Sequence, residues 1–204
     1  MDSIIFDIDG TLWDSTGIVA DAWNECLKNR GIPVRVTGTQ LKSLFGQLLM
    51  DIARQIFRDY PEEMQASLIE DCCRAEHEAL RLRPAPLYPS LPETLEVLSG
   101  KYPLFIVSNC QAGYIELFLA STGLGRFFRG HLCPGDTNLA KAENILKIAE
   151  LYHLSSPVYV GDTLGDFTAC RKAGVPFVYA SYGFGQVEAP DYRIEKPLDL
   201  VSLF

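Results

Sequence analysis

Short apolar runs alternate with amphipathic stretches along most of the chain, and this alternation predicts an α/β fold. The runs of strand length are Ser3–Ile8, Pro103–Ser108, Pro157–Gly161 and Val175–Ala180. Apolar residues also recur every three or four positions over Gly113–Thr122, Ala140–Tyr152 and Leu164–Ala173, which predicts three helices. Strands that alternate with helices pair in parallel, because each helix carries the chain back across the sheet. We therefore expect a parallel sheet with crossover helices.

Residues 15–85 interrupt this alternation, because they contain helical patterns and no strand-like run. The predicted helices are Thr16–Asn29, Leu41–Phe57 and Glu62–Leu82. Prolines at positions 84, 86 and 89 then predict a stiff, extended connector back to the sheet. We therefore expect a core formed by residues 1–14 and 86–204, and an all-helical insertion formed by residues 15–85.

The composition narrows the range of partners. The 204 residues carry a net charge of −8 and contain no run rich in Lys or Arg. Nucleic acid and anionic lipid both require a basic surface, so we expect neither as a partner. The chain shows no apolar run of membrane-spanning length and no secretory signal pattern. The six cysteines form no Cys-x-x-Cys pair, which favours reduced thiols in a cytoplasmic protein.

Two aspartates, Asp7 and Asp9, follow the first apolar run, and Gly10 predicts a turn directly after them. Ligands of open α/β sheets bind at the carboxyl ends of the strands. The two side chains would lie close together, unless the turn at Gly10 directs Asp9 away. Crowded carboxylates repel, so a metal ion or a shared proton is their usual partner. A plain strand end with a polar turn contains the same residue types.

Polar side chains also follow two later runs. Ser108 and Asn109 precede a predicted helix, where they either bind phosphate or cap the helix. Asp162 follows the third run, and Asp166 lies one helical turn later. Two acids at a strand end favour a site for a hard cation such as Mg²⁺, although Asp162 is also a suitable helix cap. Lys141 opens a helix, where its charge opposes the helix dipole unless it serves a neighbouring group.

These residues, in this order, resemble the four motifs of the haloacid dehalogenase-like hydrolase superfamily. The motifs are Asp7-Ile8-Asp9-Gly10-Thr11, Ser108-Asn109, Lys141, and Gly161-Asp162 followed by Asp166. The first and fourth are specific, whereas the second and third have meaning only in this order. The resemblance implies a Rossmann-like core. The insertion is similar to the helical cap of the subgroup that contains phosphoglycolate phosphatases and β-phosphoglucomutases, and Asn109–Ile115 resembles bacterial members.

The resemblance implies a catalytic role for each aspartate of the first motif. Asp7 would be the nucleophile that forms an aspartyl-phosphate. Asp9 would protonate the leaving oxygen and then act as the base on the hydrolytic water. The groups that would bind the phosphoryl group are Thr11, Ser108, the backbone of Asn109, and Lys141.

The resemblance also implies a Mg²⁺ site. The ligands would be the Asp7 carboxylate, the Asp9 backbone carbonyl and Asp162, while Asp166 would support them or hold a metal-bound water. A phosphate dianion beside Asp7 and Asp162 needs more positive charge than Lys141 supplies, so we expect Mg²⁺ dependence.

The expected function is hydrolysis of a small phosphorylated metabolite, of the phosphoglycolate or sugar-phosphate kind. Asp9 favours phosphate esters, because the dehalogenases and phosphonatases of the superfamily lack an acid at this position. A phosphomutase of the β-phosphoglucomutase type would keep Asp9 and is the alternative. A non-catalytic protein that binds a phosphorylated ligand is a more remote one.

Three further positions are expected near the site. Gly46 interrupts a helical pattern, which predicts a kink or turn in a cap loop over the site. Trp13 either lines the substrate pocket or packs in the core at the hinge. The run Gly183-Phe184-Gly185 is expected to be a surface turn rather than a border of the site.

Overall fold

Six parallel strands form one sheet in the order β3-β2-β1-β4-β5-β6 in the computed structural model, which describes residues 1–204. Their bounds are β1 Ser3–Phe6, β2 Leu104–Val107, β3 Phe128–Leu132, β4 Pro157–Gly161, β5 Phe177–Ala180 and β6 Tyr192–Ile194. This order is that of the Rossmann fold, in which the direction of winding reverses beside the first strand. The first strand pairs with both β2 and β4, so the predicted site residues after these three strands come from neighbouring strands.

All four predicted strands are present, and two further strands, β3 and β6, were not predicted. Both missed strands lie at the edges of the sheet. The β3 sequence FRGHL is only partly buried, and β6 has three residues, so neither shows a continuous apolar run. An edge strand needs less apolar surface than a central strand, which explains why the hydrophobic pattern did not reveal them.

The chain contains ten α-helices and a 3-10 turn at Leu124–Phe127. Their bounds are α1 Thr16–Asn29, α2 Gly38–Leu44, α3 Leu49–Ile56, α4 Glu62–Leu82, α5 Leu91–Ser99, α6 Tyr114–Thr122, α7 Pro134–Thr137, α8 Lys141–Leu151, α9 Leu164–Ala173 and α10 Asp199–Leu203. The first four helices all lie between β1 and β2, where the insertion was expected. None of the helices combines the length and the apolar character needed to cross a lipid bilayer.

The prediction of one helix over Leu41–Phe57 was wrong, because two helices, α2 and α3, occupy this stretch. Phe45 is extended, and Gly46 has a φ of 89°, a left-handed conformation that glycine adopts without strain. The apolar spacing continues through the break, so periodicity alone favours a single helix. Gly46 therefore forms the turn that the sequence indicated as one possibility.

Alternating residues of β1 enter two hydrophobic clusters on opposite faces of the sheet. Ile4 and Phe6 belong to a cluster of 39 buried residues, which continues into the four inserted helices. Ile5 belongs to a cluster of 11 buried residues, which includes apolar side chains of α8 and α9. Fully burying such a side chain contributes about 1.5–3 kcal/mol. The central strand is thus fixed from both faces, which holds the residues at its end in place.

The two chain crossings between the sheet and the inserted helices lie side by side. The Asp14 amide donates to the Pro86 carbonyl at 3.1 Å, and the Tyr88 amide donates to the Leu12 carbonyl at 3.1 Å. Trp13 and Leu87 form an antiparallel bridge between them. The boundaries at 14/15 and 85/86 stay a prediction, and this paired connector lies beside both of them.

Candidate active site

Three acidic side chains meet at the carboxyl edge of the sheet. Asp7 follows β1 directly, Asp162 follows β4, and Asp166 lies in the first turn of α9. One carboxylate oxygen from each lies within 4.8 Å of the others, and their exposures are 2%, 0% and 0%. Because β1 and β4 are neighbours, the fold brings together residues more than 150 positions apart.

Lys141, the first residue of α8, lies between two of these carboxylates. Its Nζ donates to Asp7 Oδ1 at 2.8 Å and to Asp166 Oδ1 at 2.5 Å, and the side chain is 4% exposed. Burial alone lowers the pKa of Lys141, but the charges of Asp166 and Asp7 outweigh it and raise the pKa above its ordinary value. These carboxylates therefore compensate for the unfavourable position of a cation at a helix start.

Asp166 has no free oxygen, because its carboxylate also organises the start of α9. Its Oδ2 accepts from the amide and hydroxyl of Thr163 at 3.0 and 2.7 Å, and from the Asp162 amide at 3.2 Å. Its Oδ1 accepts from Lys141. Asp166 thus orients the lysine and the loop that carries Asp162.

Asp162 is enclosed by two turns. The Phe184 amide donates to its Oδ2 at 2.7 Å, and the Thr11 hydroxyl donates to its Oδ1 at 3.3 Å. A Cβ atom at Gly10 or at Gly183 would collide with the Asp162 side chain. The expectation of a mere surface turn at Gly183-Phe184-Gly185 was therefore wrong. No local sequence pattern indicates this contact, because β5 and the loop after it reach the site only through the order of the strands in the sheet.

The acidic cluster has an excess of negative charge that suits a divalent cation. Burial and the neighbouring carboxylates raise the pKa of Asp162 well above its usual range, and burial raises that of Asp7. Lys141 contacts two of the three carboxylates, Asp7 and Asp166, and no ammonium group forms an ion pair with Asp162. Buried carboxylate oxygens are the ligands that Mg²⁺ prefers, so the residues present fit this ion.

The Asp9 side chain lies apart from this cluster and accepts three hydrogen bonds. Its Oδ1 accepts from Ser15 Oγ at 2.5 Å, from Trp13 Nε1 at 2.9 Å and from the Tyr114 hydroxyl at 2.9 Å. Desolvation raises the pKa of Asp9 to about 7, and the charge of Asp7 adds to this rise, while the three donors oppose it. The turn at Gly10 thus separates the Asp9 side chain from the acidic cluster. Of the two predicted positions for Trp13, the core is confirmed, because Trp13 is buried and does not line the pocket.

Asp7 and Asp9 face a narrow cavity of about 40 Å³ between the sheet edge and the inserted helices. Ser108 lines it from the sheet side, and Trp23, Gly46 and Glu76 line it from the inserted helices. The Asn109 side chain contacts the inserted helices, since its Nδ2 donates to the Gly46 carbonyl at 2.8 Å, and phosphate binding through the backbone of this residue stays a prediction. This hydrogen bond holds the cap loop against the sheet.

Several residues of the site were missed in the sequence. Ser15 and Tyr114 contact Asp9, while Glu76 and Gln111 form a further pair in the cavity wall. Ser15 directly precedes a helix and is typical of a cap, and Tyr114 fits a helical apolar pattern. Neither pattern distinguishes a residue of the site from an ordinary structural one.

A family model, the haloacid dehalogenase-like hydrolases, matches residues 4–180. The chain belongs to this family. It is 30% identical to the phosphoglycolate phosphatase of Aquifex aeolicus, over 98% of this chain and 95% of that protein. It is 27% identical to the phosphoglycolate phosphatase of Vibrio parahaemolyticus, over 98% and 94%.

Solved structures agree with the fold of this haloacid dehalogenase-like hydrolase. A haloacid dehalogenase-like hydrolase from Streptococcus pneumoniae superposes with a TM-score of 0.86 at 24% identity, over 100% of this chain and 98% of that one. At this identity the likeness concerns the fold alone. With its sequence relatives, the chain is a phosphatase of the subgroup that contains the phosphoglycolate phosphatases.

Proposed function

We propose that the protein is a Mg²⁺-dependent phosphatase that hydrolyses a small phosphorylated metabolite through an aspartyl-phosphate on Asp7. The observation that carries the proposal is the division of the site into two parts. Asp7 lies in an acidic cluster with Lys141, and Asp9 lies apart from it with a pKa of about 7. One carboxylate is thus held for attack, and the other can carry a proton at neutral pH.

The attack begins with an Asp7 oxygen, which forms a bond to phosphorus while the bond from phosphorus to the leaving oxygen breaks. Lys141 holds Asp7 Oδ1 at 2.8 Å and fixes the orientation of the carboxylate. Asp9 gives its proton to the leaving oxygen. It then takes a proton from the water that attacks phosphorus, the bond from Asp7 to phosphorus breaks, and phosphate leaves, which returns both aspartates to their first state.

The phosphoryl group would be bound by the hydroxyls of Thr11 and Ser108, the backbone of Asn109, and Lys141. The metal would be held by the carboxylates of Asp7 and Asp162 and by the Asp9 backbone carbonyl, with Asp166 behind them. When bound, Mg²⁺ would reduce the repulsion between an anionic nucleophile and an anionic ester. Asp166 contributes by fixing Lys141 and the Asp162 loop.

Residues 15–85 act as a cap in this proposal. The cavity of about 40 Å³ holds only a few water molecules, so the cap must move before a metabolite can enter. The paired connector between Leu12–Asp14 and Pro86–Tyr88 is the place where this motion would occur. An enclosed site suits a small substrate, of the phosphoglycolate or sugar-phosphate kind, whose phosphate reaches Asp7.

The proposal is tested by phosphate release from p-nitrophenyl phosphate in the presence of Mg²⁺. Chelation should abolish the activity, and added Mg²⁺ should restore it. Asp7→Asn should lower kcat by roughly 10³-fold or more, because an amide cannot replace the nucleophile. Asp21→Asn, a change of an exposed aspartate in α1, is the matched control and should leave the rate unchanged. Near-full activity of Asp7→Asn would refute the assignment.

A further inference from the structure

Glu76, a residue of α4, is a buried acid in the cap side of the cavity. Its side chain is 5% exposed, and it lines the same cavity as Asp7 and Asp9. Trp23 Nε1 donates to its Oε2 at 2.7 Å, and Gln111 Nε2 donates to its Oε1 at 2.5 Å. Both oxygens therefore accept from fixed neutral donors, while no Lys or Arg forms an ion pair with the carboxyl group.

The whole cavity wall is acidic and lacks a basic side chain. It contains three acidic side chains and no Lys, Arg or His. Lys141 lies behind Asp7, where Asp7 and Asp166 occupy it. His77, the nearest imidazole, contacts Gln111 at 3.0 Å from outside the wall, and burial lowers its pKa. In the proposed function the phosphoryl group would reach Lys141 beside Asp7, but the other end of the substrate meets no cation of the cavity wall.

We infer that Glu76 selects phosphate monoesters whose leaving group donates hydrogen bonds through a hydroxyl or ammonium group, and excludes those whose leaving group carries a carboxylate. This inference rests on the proposed phosphatase function and narrows its substrate. It separates this protein from a phosphoglycolate phosphatase, whose substrate presents a carboxylate at the end remote from the phosphate.

The physical reason is the cost of burying a charge without a partner. A ligand carboxylate in this cavity would lie beside Glu76 and Asp9 with no cation to compensate it. A carboxyl group that already accepts two bonds has lone pairs left for a ligand donor. Burial raises the pKa of Glu76 to about 8 and no cation of the protein opposes this rise, so Glu76 ionises at neutral pH only when a ligand supplies a countercharge. A ligand ammonium is such a countercharge.

The test compares three esters that differ only in the end remote from the phosphate: 2-phosphoglycolate, 2-hydroxyethyl phosphate and 2-aminoethyl phosphate. We expect kcat/KM for the hydroxyl and amino esters to exceed that for phosphoglycolate by about 10-fold or more. Glu76→Gln keeps the size of the side chain and should reduce this ratio to roughly 3-fold or less. Glu78→Gln is the matched control, because Glu78 lies two positions along the same helix with 67% of its side chain exposed. It should leave the ratio unchanged.

A second variant tests the inference by gain of function. Gln111→Lys places an ammonium group beside Glu76 and the cavity. It should raise kcat/KM for phosphoglycolate by about 10-fold relative to the hydroxyl ester, and this result does not depend on the fold tolerating a change at Glu76.

Hydrolysis of p-nitrophenyl phosphate distinguishes a failure of the inferred selectivity from a failure of the proposed function. If this ester is hydrolysed and phosphoglycolate is the best of the three substrates, the inference is overturned and the proposed function stands. The same holds if the ratio is equal in Glu76→Gln and in the unchanged protein. If p-nitrophenyl phosphate is not hydrolysed with Mg²⁺, the proposed function fails, and the inference fails with it.

Discussion

The surroundings of Asp9 determine what this single residue can do. An ordinary aspartate is ionised at neutral pH and has no proton to give. Desolvation and the nearby Asp7 raise the pKa of Asp9 to about 7, even though Ser15, Trp13 and Tyr114 all donate to it. A group with this pKa is present in both forms near neutral pH. The same carboxyl group therefore suits an acid in one step and a base in the next.

Tyr114→Phe tests this balance. The tyrosine hydroxyl donates to Asp9 Oδ1 at 2.9 Å and stabilises the ionised form, so its removal should raise the pKa of Asp9. Activity that needs protonated Asp9 is lost as pH rises through this pKa. The alkaline limb of kcat/KM for an alkyl phosphate should therefore move to higher pH by about half a unit or more. The measurement is the pH profile of phosphate release.

The control for this profile is p-nitrophenyl phosphate. Its leaving group departs as a stable anion and needs no proton, so this substrate should show little or no alkaline limb in either protein. A limb that stays in place in Tyr114→Phe, or moves to lower pH, would contradict the role of Asp9 as the acid.

Among the elements, the loop between α2 and α3, residues 45–48, connects the cap to the sheet. The Gly46 carbonyl accepts from Asn109, and a Cβ atom at Gly46 would lie 3.1 Å from the Thr163 side chain. The Phe45 ring lies 6.4 Å from the Phe184 ring. This one loop thus contacts the turns after β2, β4 and β5, which also surround the acidic cluster. We expect it to control how tightly the cap closes.

Gly46→Ala should weaken this closure. The φ of 89° is unfavourable for alanine, and the new methyl group crowds Thr163. We expect KM for a small phosphate ester to rise about 3- to 10-fold, in steady-state assays, because less of the protein is closed. Gly31→Ala is the matched control, since Gly31 has a φ of 69° and open space around it. It should lose about 1 kcal/mol of stability and keep its KM. Equal KM values for the two variants would contradict a role of the loop in closure.

The elements also differ in how well the sequence predicted them. The bounds of α1, α4 and α9 were predicted correctly, because each has a regular apolar stripe and a clear end. The break between α2 and α3 was not predicted, because the apolar spacing continues across Gly46. The turn in the backbone is instead associated with contacts of Gly46 with Asn109 and Thr163. Local pattern predicts an element well where tertiary contacts agree with it.

On the scale of the whole molecule, the sequence predicted the side of the site that is formed by the ends of the strands. Residues at the carboxyl ends of parallel strands share one edge of the sheet, so Asp7 and Asp162 could be expected there, whereas Lys141 was placed beside Asp7 by the resemblance to the haloacid dehalogenase-like hydrolases. The cap side was not predictable in this way. Glu76 meets Trp23 and Gln111, which are 53 and 35 positions away, and its sequence pattern is that of any polar residue in a helix. Only the packing of α4 against α1 and the sheet shows that it is buried.

In the proposed function, the acidic cluster links metal binding to the stability of the whole fold. Asp7, Asp162 and Asp166 are buried together. The pKa of Asp162 is raised in the folded protein, so the folded state loses stability as pH rises from the ordinary pKa of an aspartate through this raised pKa. A cation that binds only the folded chain offsets this repulsion. At 100 times its Kd it adds about 2.7 kcal/mol, which corresponds to a rise in Tm of roughly 5–10 °C for a chain of this size.

The expected result is therefore a Tm that rises with Mg²⁺ concentration at pH 7.5 and constant ionic strength, measured by thermal unfolding after chelation of bound metal. Asp162→Asn removes one charge from the cluster, so its metal-free Tm should equal or exceed that of the unchanged protein. Its rise with Mg²⁺ should be less than about half as large, because a ligand has been lost. Asp21→Asn should behave like the unchanged protein. An equal rise in Asp162→Asn would place the metal elsewhere, whereas no rise in any of the three proteins would remove the metal from the mechanism.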